Sequence, residues 1–291
     1  MSEDNSAATG VNADEIRYWN SLATATWVTL QDRIDTLFSS LTDVAVGQAA
    51  PVPGERALDI GCGCGATVLK LADSVGPEGR VLGVDVSEPM VSRARARLEE
   101  NEHRNAAVTL GDASSYPFES GSFDLAFSRF GVMFFSNPVE AFANIRRALR
   151  PKGRLVFACF RAREENPWVT IPFAAAKHLL PPVKQPGPED PGQFAFADQA
   201  RVRRILEGAG FRELKFTRHD PVMRLGRNAR EAAEFSSQIG PTTRALADAP
   251  EDRKRVLQQA VREAVEQEFA RHERPDGVTL KAAIWIVSAR A

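Results

Sequence analysis

The sequence predicts a doubly wound α/β fold, a mostly parallel seven-stranded sheet with helical insertions. Three observations carry this expectation. Short apolar runs alternate with helix-like patterns from residue 56 onward, which implies parallel strands joined by right-handed crossovers. A glycine-rich turn, Gly61-Cys62-Gly63-Cys64-Gly65, follows the first run. Acids stand near the ends of three successive runs, at Asp59, Asp85 and Asp112.

The first 13 residues are polar and are expected to form a disordered tail. Residues 14–50 then read as a helical extension, with Ile16, Trp19, Trp27, Leu30, Ile34 and Leu37 at spacings of three and four and Asn12 or Asp14 as its cap. Pro51-Val52-Pro53-Gly54 closes it. Strands are expected at 56–60, 80–85, 107–110, 123–127, 154–160, 211–217 and 278–287. Helices are expected at 66–74, 88–100 and 138–149, the last with Pro138 in its first turn, where a missing N–H costs nothing. Another helix begins at Asp198. Residues 51–291 thus form the main domain, with cap insertions at about 163–197 and 222–275. The first insertion holds seven prolines and reads as only partly helical. The second is helical over 228–271, broken at Gly240-Pro241.

Composition narrows the function classes. With 37 basic against 38 acidic side chains, the chain offers nucleic acid or anionic lipid no bulk attraction. The acidic start is no secretory leader, and no apolar window is long enough to span a bilayer. The three cysteines include no CxxC pair and have no matching cluster of His or Cys, so neither a metal nor a disulfide is expected. A cytoplasmic monomer or homodimer acting on a small molecule follows.

Alternate glycines after a strand let a ligand approach the backbone, and the next helix offers unpaired N–H groups to an anion. Gly61, Gly63 and Ala66 alone also satisfy a dinucleotide-binding pattern. Asp59 separates the two readings. A carboxylate in an apolar strand costs several kcal/mol unless it meets a donor or a cation. A pyrophosphate would repel it, whereas a ligand carrying an ammonium group would not.

At this point the sequence resembles the class I S-adenosylmethionine-dependent methyltransferases over residues 15–291. Asp59-Ile60-Gly61-Cys62-Gly63-Cys64-Gly65 is similar to that family's D/E-x-G-x-G-x-G loop. The resemblance implies a Rossmann-like fold, S-adenosylmethionine as cofactor, Asp85 on the ribose hydroxyls and Asp112 with Ala113 at the adenine amino group. Val86 and Met90 would flank the adenine, and Ser128-Arg129-Phe130-Gly131 would lie near the transferred methyl. Cys62 completes the loop's contacts. Tyr18-Trp19-Asn20 and Trp27 resemble the helical lid that covers the cofactor in the ubiquinone and menaquinone C-methyltransferases, which implies Trp27 as a cofactor contact. For Asp85 and Asp112 the plain alternative is turn capping, and for Trp19 and Trp27 ordinary helix packing.

The expected reaction is methyl transfer to a small, apolar or aromatic acceptor, at carbon or oxygen. The alternatives are a nicotinamide oxidoreductase, cofactor binding without transfer, and non-methylating use of the cofactor. The expected acceptor pocket comprises Trp19, Phe130, Met133, Trp168, Phe173, Phe194, Phe196, Ser236 and Ile239. His178, His219 and Arg129 are the candidate catalytic groups; His103 and His272 sit in charged helix ends.

Overall fold

The computed structural model describes residues 12–181, 187, 189–247, 249 and 251–291. Three helices come first: α1 (Ala13–Trp19), α2 (Leu22–Thr29) and α3 (Gln31–Ala49). The expected tail lies outside the described residues as far as residue 11. Asn12 and Ala13 belong to the folded part, because the Asn12 side chain is hydrogen-bonded to the distant Asp112 instead of capping α1. The helical extension is interrupted at Asn20-Ser21 and at Leu30. Along α3, Ile34, Phe38, Leu41 and Ala45 recur on one buried face. Its last turn is tied to the sheet by Arg154, which donates to the Ala49 carbonyl at 2.6 Å and pairs with Glu55.

Strands and helices then alternate: β1 (Arg56–Ile60), α4 (Ala66–Val75), β2 (Arg80–Asp85), α5 (Glu88–Glu100), β3 (Ala106–Leu110), β4 (Phe123–Arg129), α6 (Pro138–Ala148) and β5 (Leu149–Phe160). The segment after β5 holds α7 (Pro167–Ala176), and α8 (Gln199–Gly208) starts where the Asp198 carboxylate accepts the Ala200 N–H at 2.8 Å. The remainder comprises β6 (Arg212–His219), β7 (Val222–Gly226), α9 (Ala229–Ser236), α10 (Pro241–Ala247), α11 (Glu251–Ala270), β8 (Glu273–Arg274), β9 (Gly277–Lys281) and β10 (Ile284–Arg290).

Seven strands form the main sheet in the order β3-β2-β1-β4-β5-β10-β6. Strands β1 to β5 are parallel, and β10 runs antiparallel to both its neighbours. The order reverses between β1 and β4, so right-handed crossovers send their helices to opposite faces and leave a crevice beyond the strand ends. The site is built there.

One expected strand is two. Residues 278–287 divide into β9, in a small sheet of order β7-β9-β8, and β10 in the main sheet. Between them the backbone leaves the ladder: Ala282 N–H donates to Pro221, and Ala283 N–H to Asn166 Oδ1, both at 2.9 Å. The fully buried Asn166 also accepts from Trp168 Nε1 at 3.3 Å, which fixes the start of α7 against this crossing point. Strands β7 and β8 are additional to those the sequence predicts. No described helix is long and apolar enough to cross a membrane.

Candidate active site

The glycine turn closes against a second glycine. Gly61 has φ +65°, and a Cβ there would lie 2.6 Å from the Gly131 Cα. A Cβ on Gly131 would lie 2.7 Å from the Ile60 carbonyl oxygen. The ends of β1 and β4 therefore meet backbone to backbone, and any side chain at either position would force them apart. Phe130, between them, has φ +67°, a strained conformation for a bulky residue. Its ring stacks on Phe160 at 4.2 Å. The fully buried Ser128 donates to the Ile60 carbonyl at 2.7 Å and accepts from the Gly131 N–H. It staples the crossing and, like Asp59, is absent from the cavity wall.

Beyond this crossing lies a cavity of about 700 Å³. On the side of the glycine turn its wall is formed by Gly61, Cys62, Gly63, Thr67, Asp85, Val86, Met90, Asp112 and Ala113. The Asp85 carboxylate accepts the Gly63 N–H at 2.7 Å and the Ser87 N–H at 2.9 Å. A carboxylate has about four acceptor positions, so room remains for two hydroxyl donors. Burial pushes its pKa up, against the pull of these backbone hydrogen bonds. Asp112 is differently placed. Asn12 Nδ2 donates to both its oxygens at 3.0 Å, and Ser114 donates through its N–H at 2.9 Å and its hydroxyl at 2.7 Å. Asn12 Oδ1 accepts the Ser136 N–H, so one amide bridges the loops after β3 and β4.

Asp59 is fully buried behind the glycine turn and is absent from the cavity wall. One oxygen, Oδ2, accepts from the Thr67 hydroxyl, while Oδ1 has no partner. Burial pushes its pKa up to about 7, opposed by Thr67 and by the charge of Arg129 and reinforced by Asp85. No arginine nitrogen lies within ion-pair distance of it among the described residues. Burial also raises the thiols of Cys62 and Cys64, the latter to about 12, so both stay protonated.

The other end of the cavity is aromatic. Trp19, Trp27, Phe38, Phe130, Met133, Phe134, Trp168, Phe173 and Phe194 line it, with Ile239 and Arg129. Trp19 packs edge-on against Trp27 and Phe134. The turn between α1 and α2 grips the turn after β2: Ser87 Oγ donates to the Trp19 carbonyl, and Asn20 bonds both the Val86 carbonyl and the Glu88 N–H.

The remaining expectations divide sharply. Gly65, φ +86°, caps α4 against Ala94 and is not on the wall. Ser236 is buried in α9, and Phe196 stacks in the core on Phe142; neither lines the cavity. His178 is exposed after α7 and His219 ends β6, so neither candidate base reaches the cavity. Sequence reasoning passed over the wall residues Glu15, Gln31, Asp35 and Thr67, which no local pattern marks.

Comparison with known proteins agrees with this geometry. The family described as methyltransferase domain matches residues 57–153. Aklanonic acid methyltransferase of Streptomyces sp. (strain C5) is 35% identical over 175 residues, covering 57% of this chain and 78% of that protein. Demethylmenaquinone methyltransferase of Lactococcus lactis is 39% identical over 103 residues, 35% of this chain and 41% of its own. Several curated relatives are matched over only about two fifths of their length. In fold, the chain is similar to phosphoethanolamine N-methyltransferase 2 of Haemonchus contortus, with TM-score 0.58 and 17% identity over 97% of this chain and 60% of that one. A glycine turn at the sheet's reversal point, acids on the neighbouring strand ends and this shared sequence place the chain in one family: it belongs to the S-adenosylmethionine-dependent methyltransferases.

Proposed function

We propose that the chain transfers a methyl group from S-adenosylmethionine to a small, apolar or aromatic organic acceptor. The observation that carries this reading is the continuity of one cavity from the acid-ended glycine turn to an aromatic chamber. The residues present fit the cofactor. The unpartnered Asp59 Oδ1 suits the ammonium of its amino-acid end, and the open acceptor positions of Asp85 suit the ribose hydroxyls. The close Gly61–Gly131 approach leaves backbone bare beside it. When bound, the cofactor supplies an electrophilic methyl group on a sulfonium.

The chain's own work is then positional. Val86 and Met90 would flank the adenine, and Asp112 with Ala113 would face its amino edge. Phe130, Met133, Trp168 and Phe173 exclude water and hold the acceptor toward the turn. Orientation of this kind supplies about 7–11 kcal/mol in well-aligned reactions, so no covalent residue is required. The relatives named for aklanonic acid and demethylmenaquinone support an organic acceptor of this size. The cavity's ionisable wall is mainly acidic, which disfavours nucleic acid.

Incubation with methyl-labelled cofactor and a panel of hydroxylated aromatics tests this. Label should pass to an extractable small molecule; label found only on RNA or protein refutes the reading. The role of Asp112 has its own test. Because Asn12 occupies both its oxygens, an adenine amino group must displace that amide. Asn12→Ala is therefore expected to tighten S-adenosylhomocysteine binding about two- to tenfold, the scale of one hydrogen bond. Weaker binding by calorimetry would show that Asn12 supports the ligand.

A further inference from the structure

We propose that Arg129 is a carboxylate-binding residue of this cavity, its guanidinium holding the acid group of a bound ligand. The proposal rests on the cofactor reading above and adds the partner that reading leaves unassigned.

Arg129 ends β4, two residues beyond Phe127, the strand partner of Asp59. Its guanidinium is anchored on the side of α3. Nη1 donates to Thr42 Oγ1 at 2.7 Å, and the central carbon lies 5.6 Å from the Phe38 ring centre. Nε and Nη2 make no hydrogen bond, although the side chain is half-buried and lines the cavity. No carboxylate oxygen of the described residues comes within 4.0 Å of it.

A cation in this setting normally has a carboxylate partner. Two acids act on it through space, Asp35 and Asp59, but each is engaged elsewhere. Asp35 pairs with Arg97 at 2.8 Å and accepts from Gln31 at 2.7 Å, and Asp59 holds Thr67. The fork is thus anchored through Nη1, half-buried and open on the cavity side, which is the arrangement that takes a planar carboxylate through two parallel hydrogen bonds.

The chemistry has two sources. The first is the cofactor's own amino-acid end, whose ammonium and carboxylate share one carbon. Asp59 is a buried anion and Arg129 a half-buried cation on the cavity wall, kept apart, and such a zwitterion would satisfy both. The second is an acid group on the acceptor.

Calorimetric and thermal-shift titrations of the full chain distinguish these sources, with Arg129→Gln and Arg129→Lys beside the unaltered protein. The probes are S-adenosylhomocysteine, methylthioadenosine, which lacks the amino-acid end, and benzoate. If the cofactor is the source, Arg129→Gln weakens S-adenosylhomocysteine about tenfold or more and leaves methylthioadenosine unchanged. If the acceptor is the source, both nucleosides bind as before and the variant loses the thermal shift given by benzoate. Arg129→Lys, which keeps the charge, should recover part of whichever effect is seen and guards against a folding defect in the glutamine variant. The proposal is overturned if Arg129→Gln binds all three probes as the unaltered protein does. S-adenosylhomocysteine failing to bind the unaltered protein would instead sink the cofactor reading, and the benzoate titration would then decide Arg129 alone.

Discussion

Asp85→Ala is expected to weaken S-adenosylhomocysteine binding by about a hundredfold or more. Each hydrogen bond to a charged group contributes about 1.5–3 kcal/mol, and two ribose hydroxyls would lose their acceptor together. The loss is compounded at the turn itself, because Gly63 N–H and Ser87 N–H both donate to this carboxylate. Without it the loop that shapes the cavity loses its tether. Asp85→Asn keeps one acceptor oxygen and should fall between the two. Calorimetry measures the affinity, and a thermal melt in the absence of ligand separates the loss of contact from loss of fold. Unchanged affinity in a folded Asp85→Ala protein would remove this residue from the cofactor's site.

The second large effect is a pH dependence set by Asp59. Its folded pKa, about 7, stands above the ordinary carboxyl value of 3.8 chiefly because of burial. The folded state therefore holds this proton more tightly than the unfolded chain does. In the ligand-free protein the group costs stability fully above pH 7. The cost reaches about 4 kcal/mol and is relieved as pH falls through 7 toward 3.8. A ligand ammonium at Oδ1 reverses the preference, because it pairs only with the ionised form. Binding of S-adenosylhomocysteine is thus expected to weaken as pH falls below 7, approaching tenfold per unit, while the ligand-free protein becomes more stable. Asp59→Asn should be folded, more stable than the parent at pH 8, weaker in binding and flat in its pH response. A pH-independent affinity in the parent, measured by calorimetry between pH 5.5 and 8.5, would contradict the role given to this carboxylate.

These residues also show where sequence is informative. Asp59 stands out in sequence as a carboxylate beside Ala57, Leu58 and Ile60, and the fold buries it behind the glycine turn. Asp85 and the five parallel strands were legible because glycine and acid punctuate short apolar runs, and Pro138 and Asp198 mark helix starts. The division of residues 278–287 was not, since both halves read as one apolar stretch. The break is enforced by Asn166 and Pro221, far away in sequence. Ser128 is off the cavity wall because neighbouring strand residues point to opposite faces: Ser128 turns to the Ile60 carbonyl, whereas Arg129 reaches the cavity. Asn12, Glu15 and Thr67 enter the site through tertiary packing alone, and spacing carries no trace of them. His178 and His219 were named for their chemistry, with no pattern to place them, and the fold sends both elsewhere.

The most direct measurement is a crystal structure with S-adenosylhomocysteine bound. The ribose hydroxyls should rest on Asp85 and the ligand ammonium within hydrogen-bonding distance of Asp59 Oδ1. A ligand seated with its amino-acid end turned away from Asp59, or a pyrophosphate in its place beside Gly61 and Gly63, would contradict the account.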